Sequence, residues 1–406
     1  MSLGGSTAEV RLTPSIKVLV LEVHHGSLGI ARSLGRQGVE VHGLDADPDN
    51  LAWPSRYWGG RHVFDLLGAG PERSLEHLRE LSKTQLGAGT LLIPTSDEAA
   101  LFVAKHADEL AEHYTFARQK PELIEALTSK ESNYRLAKDA GVPVPHTEFP
   151  KSLADVEAFC ADATFPVMLK GISGRRLYER TGRRMLMVET VGELLRAYEE
   201  MEDPESPNLM LQEYIPGGDD SIWMFNGYFD ADSVCRCAFT GRKLRQTPPH
   251  FGATSLGVCQ PNDTVRDTTI QFMQDIGYTG ILDIGYRYDA RDGQYKLLDP
   301  NPRIGSTFRL FVGHDGMDVV RYLYMDKTGQ PLPESRLRDG RRWFVEENDI
   351  FTFAAYRHEG ILTPWEWIKS YRGVEESAWF ALDDLAPFRH HAVGIAKRIA
   401  RKLTGT

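Results

Sequence analysis

The chain of 406 residues is long enough for two to four domains of roughly 100 to 200 residues each, and its 41% hydrophobic and 26% charged content excludes a disordered or low-complexity protein. Forty-seven Lys and Arg against 57 Asp and Glu leave a net charge of −10, which argues against a field suited to nucleic acid or an anionic membrane. The richest apolar stretch, Ile16 to Val23, is broken by Lys17 and Glu22 and falls short of the ~20 residues that span a bilayer.

The opening Met1 to Ser6 lacks the basic and apolar parts of a secretory signal, so a cytoplasmic location is expected. The four cysteines, 160, 235, 237 and 259, do not have the spacing of a zinc site or a disulfide framework. Along the chain, Ile16 to Val23 reads as a buried strand and Gly26 to Gly29 as a tight turn. Ile30, Ala31 and Leu34 form the apolar face of a helix ending at Gly38, and Val39 to Leu44 is a second strand. Leu91 to Pro94 is a third, and Thr95-Ser96-Asp97-Glu98 has the spacing of a capping box opening a helix. Strand and helix in alternation predict a parallel sheet. This first unit closes near residue 118, where Arg118 to Pro121 breaks the pattern before a helix from Pro121 to Ala140.

Beyond Pro143 and Pro145 the character becomes α+β. Leu153 to Ala161 is helical. Strands are predicted at Phe165 to Lys170, Met185 to Val188, Leu209 to Ile215, Ser221 to Phe229, Ser233 to Phe239, Gly280 to Tyr288 and Tyr295 to Leu298, with hairpin turns at Asn226-Gly227 and Asp292-Gly293. After Pro333 a Trp-rich segment carries no motif to which chemistry attaches. The last helix, Ala392 to Leu403, sets Lys397, Arg398, Arg401 and Lys402 opposite small apolar residues and reads as a docked terminus. His390-His391 reads as an exposed pair.

Two places suggest chemistry. Gly26, Gly29 and the strand-end Asp45 are a fragment of a dinucleotide fingerprint, too incomplete to outweigh a structural turn. The segment Leu297-Leu298-Asp299-Pro300-Asn301-Pro302-Arg303 is more informative. Residues two apart on an extended chain face the same side, so Asp299, Asn301 and Arg303 form a ledge, with Asp283 on the preceding strand. Carboxylate and amide oxygens suit a hard cation with substrate phosphates, and an adjacent guanidinium suits an oxyanion. A polar surface turn is the competing reading.

The strand lysine of Phe165 to Lys170, the segment Leu211-Gln212-Glu213-Tyr214-Ile215-Pro216-Gly217 and the ledge Leu298 to Arg303, in this order and spacing, resemble the ATP-grasp superfamily. Ile93 to Glu98, Ser129-Lys130-Glu131 and Gly141 to Pro145 resemble more narrowly its carboxylate–amine ligase group, near D-aspartate ligase and the synthetase domains of carbamoyl-phosphate synthase. The resemblance spans about residues 16 to 330. It implies an α/β and α+β chain divided into an N-terminal Rossmann-like domain (1–118), two ATP-grasp lobes (119–208 and 209–333) and a C-terminal extension (334–406).

It further implies ATP with Mg²⁺ or Mn²⁺, and small carboxylate and amine substrates, an amino acid or peptide among them. Homodimers are common among such relatives, and neither nucleic acid nor membrane is an expected partner. Lys130 and Lys170 match the phosphate lysines. Gln212, Glu213, Tyr214 and Ile215 match the adenine hinge, and Asp220 the ribose position. Asp283, Asp299 and Asn301 match the metal ligands, although Gly285 stands where many relatives carry a carboxylate and Asp299 where Glu is usual. Arg303 matches the arginine on the transferring phosphoryl group. Arg242 or Lys243, in Gly241 to Arg245 ahead of Gly252 to Gly257, is expected beside the γ-phosphate. The arginine-rich Gly171 to Arg184 is expected to be a lid over the triphosphate. A shell that binds nucleotide without catalysis is the competing function, and a nicotinamide oxidoreductase a distant third.

Overall fold

The structure, a computed structural model, describes residues 9–404, with side chains described to residue 395. Four consecutive buried residues form β1 (Val18–Leu21), which pairs in parallel with β2 (Val41–Asp45) and β4 (Thr90–Pro94). With β3 (Trp58–Val63) and β5 (Tyr114–Thr115) these make a five-stranded parallel sheet ordered β3-β2-β1-β4-β5. An unbroken apolar strand needs cover on both faces, and the helix His25–Gly35 supplies part of it. A second, antiparallel sheet joins β6 (Thr147–Glu148), β7 (Val167–Gly171), β8 (Met185–Val188) and β9 (Leu209–Glu213) in the order β6-β9-β7-β8. The chain then crosses residues 214–221 into a seven-stranded sheet. It contains β10 (Ile222–Phe229), β11 (Cys235–Thr247), β12 (Ala253–Cys259), β13 (Gly280–Asp289), β14 (Gln294–Asn301), β15 (Arg342–Phe344) and β16 (Val374–Ser377), ordered β14-β13-β10-β11-β12-β15-β16.

The segment after residue 333 thus adds two strands to the large sheet, and it is bound to the N-terminal sheet by buried charge. Arg32 Nε donates to Asp384 Oδ2 at 2.9 Å, and Ser55 Oγ reaches the same oxygen at 2.7 Å. Buried residues of the first and third sheets share one apolar cluster, in which Leu28, Ile30 and Ala31 meet Phe308, Leu310 and Val320.

Several local expectations give way to packing. Gly26 and Gly29 lie inside the helix His25–Gly35 rather than in a turn. A Cβ would meet Ser306 Cα at 2.8 Å from Gly26 and the Phe308 ring at 2.9 Å from Gly29, so these glycines let the helix seat on the segment after β14. The helix cap at 96 is Ser96, whose side chain accepts from Ala99 N, while Thr95 Oγ1 donates to Leu21 and Glu22 carbonyls. The predicted helix 121–140 is two, Pro121–Thr128 and Lys130–Asp139, parted where Ser129 turns extended to cap the second. Asn226-Gly227 is mid-strand, with Asn226 paired to Phe239 and Asp283, because a buried site on a central strand overrides turn propensity. Asp292-Gly293 does form the β13–β14 turn, Gly293 at φ +74°. His391 is buried, not exposed, stacked on Trp379 with Nε2 2.7 Å from Glu347. The basic residues 397–402 and Met1 to Ser6 lie outside the described side chains. Among the described residues no helix is long and apolar enough to cross a membrane, and the four cysteines are free.

Candidate active site

Strand alternation aims the key side chains. On β13, Leu282, Ile284 and Tyr286 enter the apolar core, which leaves Asp283, Gly285 and Arg287 on the opposite face. Register sets Asp283 across from Asn301 and Gly285 across from Asp299, and a bulge follows Gly285. That face borders a cavity of about 510 Å³, within the usual ~300–1,000 Å³ of small-molecule sites. Its walls come from the four-stranded and seven-stranded sheets, the crossing between them and one helix: Lys130 at the start of its helix, Met168 and Lys170 on β7, Met210, Gln212 and Glu213 on β9, Tyr214 and Ile215 just after, and Lys243 on β11. Asp283, Arg287, Asp299 and Asn301 of β13 and β14, with Arg303 beyond them, close it.

The apolar residues Met168, Met210, Ile222 and Leu297 line the cavity with Tyr214 and Ile215, a surface suited to a flat heteroaromatic ring. The polar side chains of Gln212 and Glu213 are committed elsewhere. Glu213 accepts from Lys296 Nζ at 3.0 Å, Arg291 at 2.8 Å and His146 N at 2.9 Å, and these partners hold its carboxyl below the usual carboxylate range despite burial. Gln212 bridges Lys170 Nζ at 2.7 Å and Thr147 Oγ1 at 3.0 Å.

Cations dominate the next portion. Lys130 Nζ donates to Gly171 O at 2.5 Å. Burial, and then the charge of Lys130, bring the Lys170 ammonium down to about 8. Burial likewise brings Lys243 down to about 8, against the pull of Asp283. Asp299, though open to solvent on the cavity side, is pushed the other way, to about 6, first by the surrounding protein that displaces water and then by Asp97, and burial raises Asp283 also. Five cationic groups, Lys130, Lys170, Lys243, Arg287 and Arg303, therefore border a space that also presents the two carboxylates, an excess that suits a polyanion. The donor set of two carboxylates and the Asn301 amide oxygen fits a hard divalent cation sharing phosphate oxygens. A Cβ at Gly285 would meet nothing within 4 Å, so open space adjoins Asp299. Among the described residues no cluster of three or more His, Cys, Asp or Glu side chains adds further ligands.

Arg303 closes the ledge toward the parallel sheet. Its Nε donates to Asp97 Oδ1 at 2.9 Å and its Nη2 to Asn301 Oδ1 at 3.0 Å. Asp97 opens the helix after β4, so the Thr95-to-Glu98 motif meets the ledge across 206 residues of chain.

Two expected residues fall outside the cavity lining. Arg242, one residue from Lys243 on β11, projects to the other face and lies 3.7 Å from the Asp220 carboxylate. Asp219 takes the inward course instead, accepting from Gln246 Nε2 at 2.9 Å and from Tyr356 Oη. The arginine-rich segment is a helix, Gly174–Thr181, capped by Ser173. Arg175 pairs with Glu179, and Arg176 and Arg180 with Asp203, so in this structure it is not a lid of arginines over the cavity. Asp45 is likewise engaged, accepting from Val23 N at 2.7 Å and Asp47 N at 2.8 Å.

Sequence reasoning missed Tyr134, Gln246, His250, Phe251, Arg287 and Ser306 of the lining. Only Arg287 had a local signal, being four residues from Asp283 on a strand of period two.

This three-sheet body with its interlobe cavity is the ATP-grasp fold. In sequence the chain resembles the carboxylate–amine ligases of that superfamily: it is 27% identical to D-aspartate ligase of Enterococcus faecium over 287 residues, 66% of this chain and 67% of that protein. It is 21% identical over 224 residues to the C-terminal section of the carbamoyl phosphate synthase large chain of Methanopyrus kandleri, covering 53% of this chain but 40% of the relative. No protein-family model matches the chain. Among solved structures, N5-carboxyaminoimidazole synthetase of Staphylococcus aureus complexed with ADP superposes with a TM-score of 0.61 at 13% identity, covering 83% of each chain. The biotin carboxylase domain of Hydrogenobacter thermophilus 2-oxoglutarate carboxylase, in complex with MgADP and bicarbonate, superposes with a TM-score of 0.60 at 16% identity, covering 81% of this chain and 74% of that one.

Proposed function

We propose that the protein is an ATP-dependent, ADP-forming ligase that activates a carboxylate as an acyl phosphate and joins it to an amine. The observation that carries this reading is the meeting of Lys130, Lys170, Lys243, Asp283, Asp299, Asn301 and Arg303 on one cavity, from segments up to 173 residues apart in sequence. The similarity to D-aspartate ligase supports an amino acid or peptide as a substrate.

Phosphoryl transfer asks little covalent work of a protein and much positioning and charge neutralisation. Lys130 and Lys170 hold the nucleotide phosphates as point charges, and Lys243 faces the terminal phosphoryl group. Asp283, Asp299 and Asn301 are the residues that would hold Mg²⁺, which when bound supplies further neutralisation of the phosphates. A carboxylate oxygen of the first substrate attacks the γ-phosphorus, and the bond to the β–γ bridging oxygen breaks to release ADP. Arg303 lies where it can hold the oxygens of the acyl phosphate. The amine then attacks the carbonyl carbon, phosphate leaves with the C–O bond pair, and a proton is lost from nitrogen. The lone pair of a neutral amine supplies the nucleophile, so the cycle needs no protein nucleophile.

The test is release of ADP on addition of amino acids and small carboxylates with amine acceptors, comparing wild type with Asn301→Ala and Arg303→Ala. Acceptor-dependent ADP release that both substitutions leave unchanged would remove the ledge from the mechanism. A second reading, a nucleotide-binding shell without catalysis, is favoured by the open space at Gly285. Calorimetry that detects MgATP binding while no acceptor provokes ADP release would select it.

A further inference from the structure

One buried cation on the cavity wall adds to its positive field but has no contact assigned to it in the scheme above. Arg287 is 8% exposed and projects from β13 on the same face as Asp283 and Gly285. Its guanidinium carbon lies 5.2 Å from the centre of the Tyr214 ring, and its Nη2 donates to Gly217 O at 2.7 Å. Both partners belong to the 214–221 crossing between the four-stranded and seven-stranded sheets, whereas Arg287 belongs to the latter. Its Nε is buried with no hydrogen-bond partner. A buried N–H left unpaired costs about 1–3 kcal/mol, and such a donor in a native fold calls for an explanation. The guanidinium is also placed among like charges, because Lys170 and Lys243, on the same cavity, both feel its field. A cation with a spare donor, next to two lysines on a cavity wall and without a carboxylate of its own, is arranged for an anion that is supplied from outside.

We propose that Arg287 is a polyphosphate-binding residue of the nucleotide site, and that by its contacts with Tyr214 and Gly217 it ties the occupied cavity to the hinge crossing. The inference rests on the nucleotide reading above and adds a residue to it. A phosphate oxygen accepting from Nε would pair the orphaned donor, with Nη2 left on the Gly217 carbonyl. Tyr214 fixes the plane of the fork, a role that a lysine point charge does not reproduce. Gly217, at φ +138°, presents no side chain between the hinge and the guanidinium, and a Cβ there would lie 3.9 Å from Arg287 Nη2 and 2.9 Å from Ser221 Oγ.

The experiment is calorimetric titration of the full-length wild type, Arg287→Ala, Arg287→Lys and Tyr214→Leu with adenosine, AMP, ADP and ATP, each with Mg²⁺, alongside thermal melts. The expected result is a loss that grows with the number of phosphates, reaching roughly 10- to 100-fold for MgATP in Arg287→Ala, with adenosine affinity unchanged. Arg287→Lys recovers only part of it, and Tyr214→Leu falls between wild type and Arg287→Ala. An equal loss for all four ligands, or a fall in melting temperature with MgATP affinity retained, would make Arg287 a purely structural strut and overturn the proposal. Should Arg287→Ala fail to fold, the phosphate ladder of Arg287→Lys decides the matter alone, since Tyr214 also borders the ring surface. Absence of MgATP binding by the wild type would instead overturn the nucleotide reading itself, an outcome distinct from wild-type binding that the variants leave intact.

Discussion

Residues 174–184 and the walls of the cavity are both rich in positive charge, and they have opposite fates. The first holds five arginines within ten positions, and Arg175, Arg176 and Arg180 spend theirs on Glu179 and Asp203 at the surface. The cavity draws its five cations singly from five separated segments, Arg287 buried and the other four half-buried, where water screens them less than at the open surface. Density of charge along the chain is thus a poor guide to a binding site, and convergence in space is a good one. The Gly241 to Arg245 motif makes the same point within five residues: Arg242 meets Asp220, Lys243 faces the cavity, and Arg245 makes a buried bidentate pair with Asp349 at 2.7 and 2.8 Å.

The contrast can be broken or sharpened by substitution. The largest stability effect is expected at Arg245→Met, because Asp349, fully buried and also holding Trp367 Nε1, Tyr371 Oη and Ser255 Oγ, loses its counter-charge. Destabilisation of about 3–5 kcal/mol is expected, read by urea unfolding. Arg303→Ala is expected to lower kcat by roughly 10²–10³-fold, in the range seen when one oxyanion donor is removed, with the melting temperature little changed. Smaller is the effect of pH. Lys170 and Lys243 are cationic below about pH 8 and neutral above it, so MgATP affinity falls as pH rises through 8, with proton uptake on binding there. Calorimetry in buffers of different ionisation enthalpy measures both. Least of all, the triple variant Arg175→Ala, Arg176→Ala, Arg180→Ala should leave the melting temperature and MgATP affinity within error, because exposed ion pairs contribute little. Loss of affinity in that variant would return the segment to the site.

Much of the scaffold was legible because its signals are local. The apolar run at β1, the glycine turn at 293 and the alternation in β14 each depend on a few adjacent residues. Elements with weaker patterns were missed, among them β3, β12 and the helix Asp263–Asp275. Their half-exposed or glycine-bearing sequences declare themselves only against neighbours.

Asp299 and Asn301 on one side of β14 were legible from period two alone, whereas Arg303 lies past the strand's end and joins them through its hydrogen bond to Asn301. The proposed phosphate role of Lys130 and Lys170 came from the resemblance alone, since nothing in a lone lysine's local sequence marks it. Tertiary structure alone decided which side of each element is the cavity side. It buried Asp219 against Gln246 and Tyr356 and left Asp220 exposed through a single 3₁₀ turn, and irregular pairing at Lys243, Arg245 and Gln246 redirected three neighbouring side chains of β11. It also brought Asp97 to Arg303 and Arg287 to Tyr214. A strand's alternation is fixed by its own backbone, but the identity of the buried face is fixed by what packs on it, and those partners lie from 27 to 206 residues away.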